Sequence, residues 1–523
     1  MISCDVLVLG AGIAGCTAAI HAADLGADVL VVCKDHLGES NTSYAQGGIV
    51  GHSPERCQDS PGLFAKDIEA AGDGLCRPEA VALLAEQGPL LCRDFLWKHL
   101  GVAFDQGPDG MPDPTAEAAH SARRIYHVKD ATGRAIQETL TASIKNHPRI
   151  RLIEGHSLVD LLTIPHHCCD PRKVYDPIQV CGAYLLDNLT GAIETCLAKR
   201  TVLATGGLGY LYLHTSNPPS ATGDGLAAAY RASARIVNCE YMQFHPTTLY
   251  IPHKSRTLLT EALRGEGALL VNRKGERFMS KYAPEQMELA PRHVVSRAIF
   301  QEMAATGEVC MYLDLKPVAA RMDLDARFPT VSAACRAEGL DPNTQLIPVV
   351  PAAHFFCGGV AVDLDGHSSV RGLFAAGEVS CTGLHGANRL ASTSLLEGLL
   401  WGYRAAEAAV AECREAAPLD PGDFHSWRPV SPATTPDPVL IEQDWNNIRT
   451  TLWNYAGIVR NYARLDRARG DMGHLYHRLE AFYRSAPVSR SMLELRNGII
   501  CARLILKAAL QNPESRGCHY RLN

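Results

Sequence analysis

The two carboxylates of one small molecule would meet suitable partners in side chains scattered from the middle of the chain onward: His245, Arg292, His354 and Arg389, with Thr260 as a hydroxyl donor. Each guanidinium can clasp one carboxylate through two parallel hydrogen bonds, and the histidines add further donors. A lone histidine usually has a structural role. Here each basic group lies close to a glycine or proline that fixes the local backbone, which favours a designed set. Earlier, Pro114 to Arg124 crowds Glu117, His120, Arg123 and Arg124 into a short loop, readable either as a solvated charge cluster or as part of a site.

A second kind of chemistry is written at the N-terminus. Gly10, Gly12 and Gly15 form G-x-G-x-x-G after the apolar run Val6 to Leu9 and before the small-residue stretch Ala14 to Ala23. The first glycine permits a tight turn, the second lets the backbone approach a pyrophosphate, and the third lets helix and strand pack closely. The helix N-terminus then offers its positive end to the phosphates. This is a dinucleotide signal that suits several cofactors.

These groups need a framework. The predicted second strand runs from Asp28 to Cys33 and ends at Lys34, where an NAD site would place an acid for the ribose. Either Asp35 supplies that acid one residue late, or Lys34 is itself a cofactor contact. The polar, glycine-rich loop Ser40 to Gly48 can turn backbone groups toward a ligand. Ser60 to Leu100 has helical periodicity, Arg149 to Leu203 alternates short strands and turns, and Thr201 to Gly207 reads as a buried strand entering a glycine turn. Asp224, after Thr222 and Gly223, could accept from a ribose or cap a helix.

The texture changes at about Asn238 and returns at Pro351, which predicts an inserted domain. The boundaries expected are 1–237 and 351–417 for the nucleotide-binding domain, 238–350 for the insert, 418–438 for a Pro-rich linker and 439–523 for a helical unit. Within that unit the predicted helices are 444–465, 474–484 and 489–510. Gly372 to Glu378 repeats the character of the first nucleotide strand, and His385 to Leu396 opens a helix.

A net charge of −6 offers no general attraction to nucleic acid or anionic lipid. With no apolar span of bilayer length and no secretory leader, a cytoplasmic protein is expected. The 18 cysteines are scattered without a C-x-x-C pair, which suits reduced thiols. Cys168-Cys169 beside His166-His167 could be metal ligands but reads better as a polar hairpin tip, so no metal is expected.

The motifs Tyr44–Gly48, Phe244–Thr247, Thr260–Gly267, Ala290–Arg292, His354, Gly386–Arg389 and Glu514–Gly517 resemble those of a flavoprotein family. That family contains the flavin subunits of succinate dehydrogenase and fumarate reductase together with the aspartate oxidases, and the likeness runs from Asp5 to Asn523. It implies an α/β fold: a Rossmann-like FAD-binding domain, an inserted α+β capping domain that closes as a lid, and a C-terminal three-helix domain. Asn41 stands where respiratory relatives carry the histidine bonded to flavin, which implies non-covalent FAD.

By the same resemblance, Gly10, Gly12, Ile13, Ala14 and Gly15 face the pyrophosphate. Lys34, Asn41, Thr42, Ser43, Tyr44, Ala45, Gln46, Gly47 and Gly48 lie beside the flavin half, and Asp224, Glu378, Ser394 and Leu395 complete the pocket. L-aspartate would be held by Arg389, His354, His245 and Thr260, with Glu117 facing its ammonium group. It would lose a hydride to give iminoaspartate, the substrate of quinolinate synthase in NAD biosynthesis, and O2 or fumarate would reoxidise the flavin. Arg292 matches the family's proton donor and acceptor, with a purely electrostatic clamp as the alternative. The rival readings are a soluble fumarate reductase or succinate oxidase, and a flavin-bearing subunit that mainly binds a partner. Where the family reads E-G-G-H-S this chain has Glu117-Ala-Ala-His-Ser121, and Thr393 replaces a common asparagine.

Overall fold

The computed structural model describes residues 1–52, 59–117, 119–252, 254, 257–428 and 437–522. Its main sheet is built from β1 (Ile2–Leu9), β2 (Val29–Val32), β3 (Ile150–Ile153), β4 (His156–Thr163), β5 (Val180–Asp187) and β6 (Ile193–Leu203), in the order β3-β2-β1-β6-β5-β4. The strands β3, β2, β1 and β6 run parallel, and a seventh strand, Leu373–Ala375, pairs with β6 in the same sense. β4 and β5 close the far edge as an antiparallel hairpin. The centre of β1 is apolar and wholly buried because helices cover both faces of a parallel sheet.

Helix α1 (Ile13–Asp24) packs back on this sheet through alanines and Gly15, and α2 (Asp224–Arg231) follows the second glycine turn. The alanine-rich surface lets another helix come close. A Cβ on Gly402 would stand 2.5 Å from the carbonyl oxygen of Ala14, so only glycine admits that contact.

The insert has a core of its own, running from Leu249 to Val349 and separate from the main core. Its sheet contains β7 (Met242–Leu249), β8 (Leu269–Val271), β9 (Met311–Asp314) and β10 (Leu346–Phe356), in the order β7-β10-β9-β8 and antiparallel throughout. Helix α3 (Arg292–Thr306) packs on it. The first and last strands of the insert, β7 and β10, reach back so that Met242, Phe244, Ala353 and Phe356 join the main core. The junction therefore runs through two paired strands, and the expected cuts at 238 and 350 fall beside or inside them. After the return, α4 (Ser394–Glu415) crosses α1.

The C-terminal unit consists of α5 (Pro438–Ala456), α6 (Tyr462–Ser485) and α7 (Arg490–Gln511). The expected helix over 444–465 runs across a real break, which Asn461 sets by accepting from the Arg464 N–H as an N-cap (2.9 Å). The polar, glycine-bearing stretch before His474 belongs to α6 although it carries little apolar periodicity. The part of the expected linker that is described does more than connect: Phe424 is buried among Val159, Leu162 and Leu493. Residues 429–436 lie outside the described set. Cys169 N–H donates to Asp423 O at 2.7 Å, so the His166–Cys169 knot caps the β4–β5 hairpin under this segment. Among the described residues no helix is long and apolar enough to cross a membrane.

Candidate active site

A cavity of about 550 Å³ runs from the β1–α1 turn to the insert. At one end the first glycine turn works as its spacing demands. Gly10 has φ +110°, a left-handed conformation, and a Cβ there would run into the backbone of Ala204. Gly15 lies beneath the turn against Gly10, while Gly10, Gly12, Ile13 and Ala14 border the cavity. Thr42 Oγ1 accepts from the Ile13 N–H at 3.1 Å and so ties the loop Asn41–Gly48, all of which borders the cavity, to the start of α1. Within that loop the buried Gln46 Oε1 has no hydrogen-bond partner. The helix start, the glycine cradle and the orphaned amide are what a long dinucleotide would satisfy.

Lys34 and Asp224 also border the cavity, but their charges are spent on protein groups. Lys34 Nζ donates to Asp224 Oδ2 (2.7 Å) and pairs with Glu494 of α7 (2.9 Å). Asp224 is the first residue of α2, with Gly223 as the cap, and its other oxygen accepts from Asn497 (2.9 Å). Asp35 is paired in turn with Arg490 (2.6 Å). Lys34 and Asp35 thereby also tie the cofactor domain to the last helix.

Glu378 joins the loop from the opposite wall. It accepts from Asn41 Nδ2 (3.0 Å) and from the Phe356 N–H (2.9 Å), and burial pushes its carboxyl up to about 7. Leu395 borders the same space, and Ser394 Oγ accepts from Arg389 Nη1 at 2.8 Å.

At the insert end the basic residues converge. Arg389 is buried, its Cζ 4.7 Å from the Phe355 ring centroid, and its Nη2 donates to His354 Nε2 (3.1 Å). That leaves the His354 Nδ1 proton for Ser216 Oγ (2.9 Å). His245 lies 5.3 Å from His354, ring centre to ring centre. Thr260 borders the same space. Burial, then Arg292 and His354, hold the His245 imidazole well below its ordinary pKa; burial, then Arg389 and Arg292, do so for His354. Burial and the neighbouring Arg292 bring Arg389 down to about 10. A concentration of positive charge this deep needs anions to complete it.

Two further residues organise this end, although sequence reading gave them no role. Gln243 is fully buried, and its Oε1 accepts from Arg389 Nε (3.3 Å) and Arg292 Nη1 (3.4 Å) while its amide nitrogen donates to Asn388 and to Arg389 O. Glu261 accepts from Arg292 Nε at 2.6 Å and lies 3.5 Å from buried Arg264. Burial alone would raise the Glu261 carboxyl, but Arg292 and Arg264 hold it low. Gln243 stands two residues before His245 on one strand, and this same-face spacing is the signal that points to it.

Glu117 faces the cavity from the other side. Its Oε2 is buried without a partner, and Ser392, with φ +55°, leaves its own hydroxyl unpartnered nearby; Glu117 Oε1 and Ser392 Oγ both approach to 3.4 Å of where a Gly47 Cβ would stand. The loop's departure from the family pattern has a conformational consequence, because Ala119 takes φ +65°, where glycine is preferred. Ala119→Gly is therefore expected to stabilise the protein by about 1 kcal/mol, seen as a higher Tm by calorimetry. Thr393, the other departure, is buried with its hydroxyl on Leu390 O (2.6 Å).

The histidines also set an acid limit. Burial holds His245 and His354 well below the ordinary 6.5, and brings His293 down to about 4 and His519 to about 3. Below pH 6.5 the unfolded chain takes up protons that the folded chain refuses, so stability falls as pH falls. The loss is up to about 1.4 kcal/mol per pH unit for each histidine. Glu378 has the opposite sign, since its raised pKa makes the folded chain bind a proton first, and it offsets one histidine between its ordinary 4.5 and about 7. Thermal denaturation at pH 7, 6 and 5 should therefore show a steadily falling Tm.

The chain matches the FAD binding domain family over residues 5–395 and the family described as fumarate reductase flavoprotein C-term over residues 445–523. It is 42% identical to an L-aspartate oxidase of Pseudomonas aeruginosa over 99% of this chain and 95% of that protein. It is 44% identical to the L-aspartate oxidase of Halobacterium salinarum, over 99% and 96%. Among solved structures it is similar to the FrdA chain of E. coli quinol fumarate reductase, with a TM-score of 0.87 at 27% identity over 100% of this chain and 92% of that one.

Proposed function

This chain belongs to the L-aspartate oxidase family of FAD-binding flavoproteins, and from that premise we propose that it oxidises L-aspartate to iminoaspartate, the committed step toward quinolinate and NAD. The observation that carries the assignment of roles is the meeting of Arg389, His354, His245 and Thr260 at the cavity end bordered also by Arg292 and Glu117. Bound FAD supplies the two-electron acceptor. Gly10, Gly12, Ile13, Ala14 and the loop Asn41–Gly48 would hold it, with Glu378 and Leu395 on the facing wall and Lys34 and Asp224 shaping the end near α7. Gly15 supports the turn from below.

Arg389 and His354 take one substrate carboxylate, while His245 and Thr260 serve the other. Glu117 accepts from the ammonium group and turns the reacting carbon toward the cofactor wall. Oxidation of the amine to the imine releases a proton besides the hydride. Arg292 takes that proton as its Nε–H passes one to the Glu261 carboxylate, so the guanidinium acts as a relay and Glu261 carries the proton outward. Arg292, Thr260 and His245 belong to the insert and Arg389 to the cofactor domain, so closure of the insert both assembles the site and excludes water.

The likeness to fumarate reductase supports one rival, a succinate or fumarate enzyme using the same dicarboxylate clamp. Anaerobic addition of substrate to the yellow holoprotein separates them. L-aspartate is expected to bleach the flavin band, and bleaching by succinate alone overturns the proposal. For the later steps we take O2 or fumarate as electron acceptor and quinolinate synthase as the consumer of the product, in the cytoplasm; the family likeness supports these.

A further inference from the structure

We propose that the groove between α6, α7 and the end of α2 binds a small phosphorylated ring compound and communicates its occupancy to the cofactor cavity. The groove has a volume of about 350 Å³ and is lined by Tyr230, Arg231, Gly473, Tyr476, Arg503 and Lys507 among others. This is within the range of small-molecule sites.

Its charge is unbalanced. The carboxylate in its wall, Glu480, is already engaged by Arg496 Nε at 2.8 Å. Arg503 lies over the Tyr476 ring at 4.0 Å, and among the described residues neither Arg503 nor Lys507 has a carboxylate partner. Two exposed cations on one helix face, four residues apart, suit a phosphate or diphosphate. Tyr230, 50% exposed, offers a ring face beside them.

A second observation concerns the wall itself. Gly473 sits in the interior of α6, where glycine is unfavourable, and a Cβ there would meet nothing within 4 Å. Gly470 is equally open, but only Gly473 borders the groove, where the missing side chain lets an occupant lie against the helix backbone.

The groove is wired to the cofactor cavity. Arg231 Nη1 donates to Asn497 Oδ1 (2.8 Å), Asn497 Nδ2 donates to Asp224 Oδ1 (2.9 Å), and Asp224 holds Lys34. Asp224 and Arg231 are also the two ends of the eight-residue helix α2. Arg231 is held as well by Asp160 (2.7 Å) and the Val159 carbonyl (3.1 Å), so an anion in the groove competes with these partners and with Asn497, and a shift of Arg231 alters the Lys34–Asp224 corner of the cavity.

The test is calorimetric titration of the FAD-loaded protein with ADP, with pyrophosphate and adenosine as separate arms, followed by measurement of the FAD dissociation constant with and without ADP. The expected result is one ADP site that excess FAD does not displace, with both partial probes weaker. Arg503→Ala combined with Lys507→Ala should weaken ADP by about tenfold or more. Gly473→Leu, which fills the groove and favours the helix, should abolish binding. Saturating ADP should shift the FAD dissociation constant by about fivefold or more, and not in the double variant. Absence of ADP binding at millimolar concentration, displacement by FAD, or full binding in both variants overturns the site. Pyrophosphate binding as tightly as ADP overturns the ring contact, and an unchanged FAD dissociation constant overturns the coupling.

Discussion

Arg292→Lys is expected to lower the turnover of L-aspartate by about a hundredfold to ten-thousandfold while leaving FAD bound and substrate affinity far less affected. Arg292 opens α3 and divides its guanidinium between Glu261 Oε2 at 2.6 Å and Gln243 Oε1 at 3.4 Å. A lysine ammonium keeps the charge but is a single point, so it cannot hold both partners and still present a nitrogen to the substrate. The charge needed for binding remains, and Arg389 with its own set of contacts is untouched. The measurement is the rate of anaerobic flavin reduction at saturating L-aspartate, alongside a dissociation constant from equilibrium titration. Near-normal reduction would show that the charge alone suffices and would sink the proton-transfer role, leaving an electrostatic clamp.

For Glu117→Gln the expectation is a rise in the KM for L-aspartate of about tenfold to a hundredfold, with succinate binding nearly unchanged. The argument rests on the buried Glu117 Oε2, which has no partner. A buried carboxylate oxygen without a donor is costly, and an ammonium group relieves it. Glutamine keeps the size and removes the charge, so it separates attraction from shape. Comparing the two ligands in one titration series isolates the nitrogen, since succinate has the same two carboxylates. An unchanged ratio between them would favour the dicarboxylate enzyme without preference for an amine.

What the sequence disclosed follows from how local each feature is. The β1–α1 turn was legible because a strand, three glycines and a small-residue helix lie within a short stretch, and sterics at Gly10 leave few alternatives. The arginines and histidines could be proposed as a group from residue type alone, because few functions other than anion binding use such a set. Glu261 lay inside a recognised motif and Gln243 directly before one, yet their roles depend on which neighbouring side chain each faces, and only the packed β7–β10 strands and α3 decide that. The break between α5 and α6 was missed because Asn461 acts through one capping hydrogen bond, a weak signal amid a longer polar pattern. The protein partners of Lys34 and Asp35 were not legible for a deeper reason: Glu494 and Arg490, which pair with them, stand far along the chain.

That long-range pairing has a bearing on how the protein is made. The glycine turn leaves the ribosome before the strand Leu373–Ala375 that pairs with the end of β6, and well before the α7 residues that neutralise Lys34 and Asp35. Synthesis at about 5–20 residues per second places tens of seconds between the two. Until Leu373–Ala375 is made, the nascent domain has an open stretch of sheet edge at Thr201–Leu203, and until α7 is made Lys34 and Asp35 lack their final partners. The Lys34 corner of the cavity is thus completed late, and the short unfinished edge is open to strand pairing in the meantime.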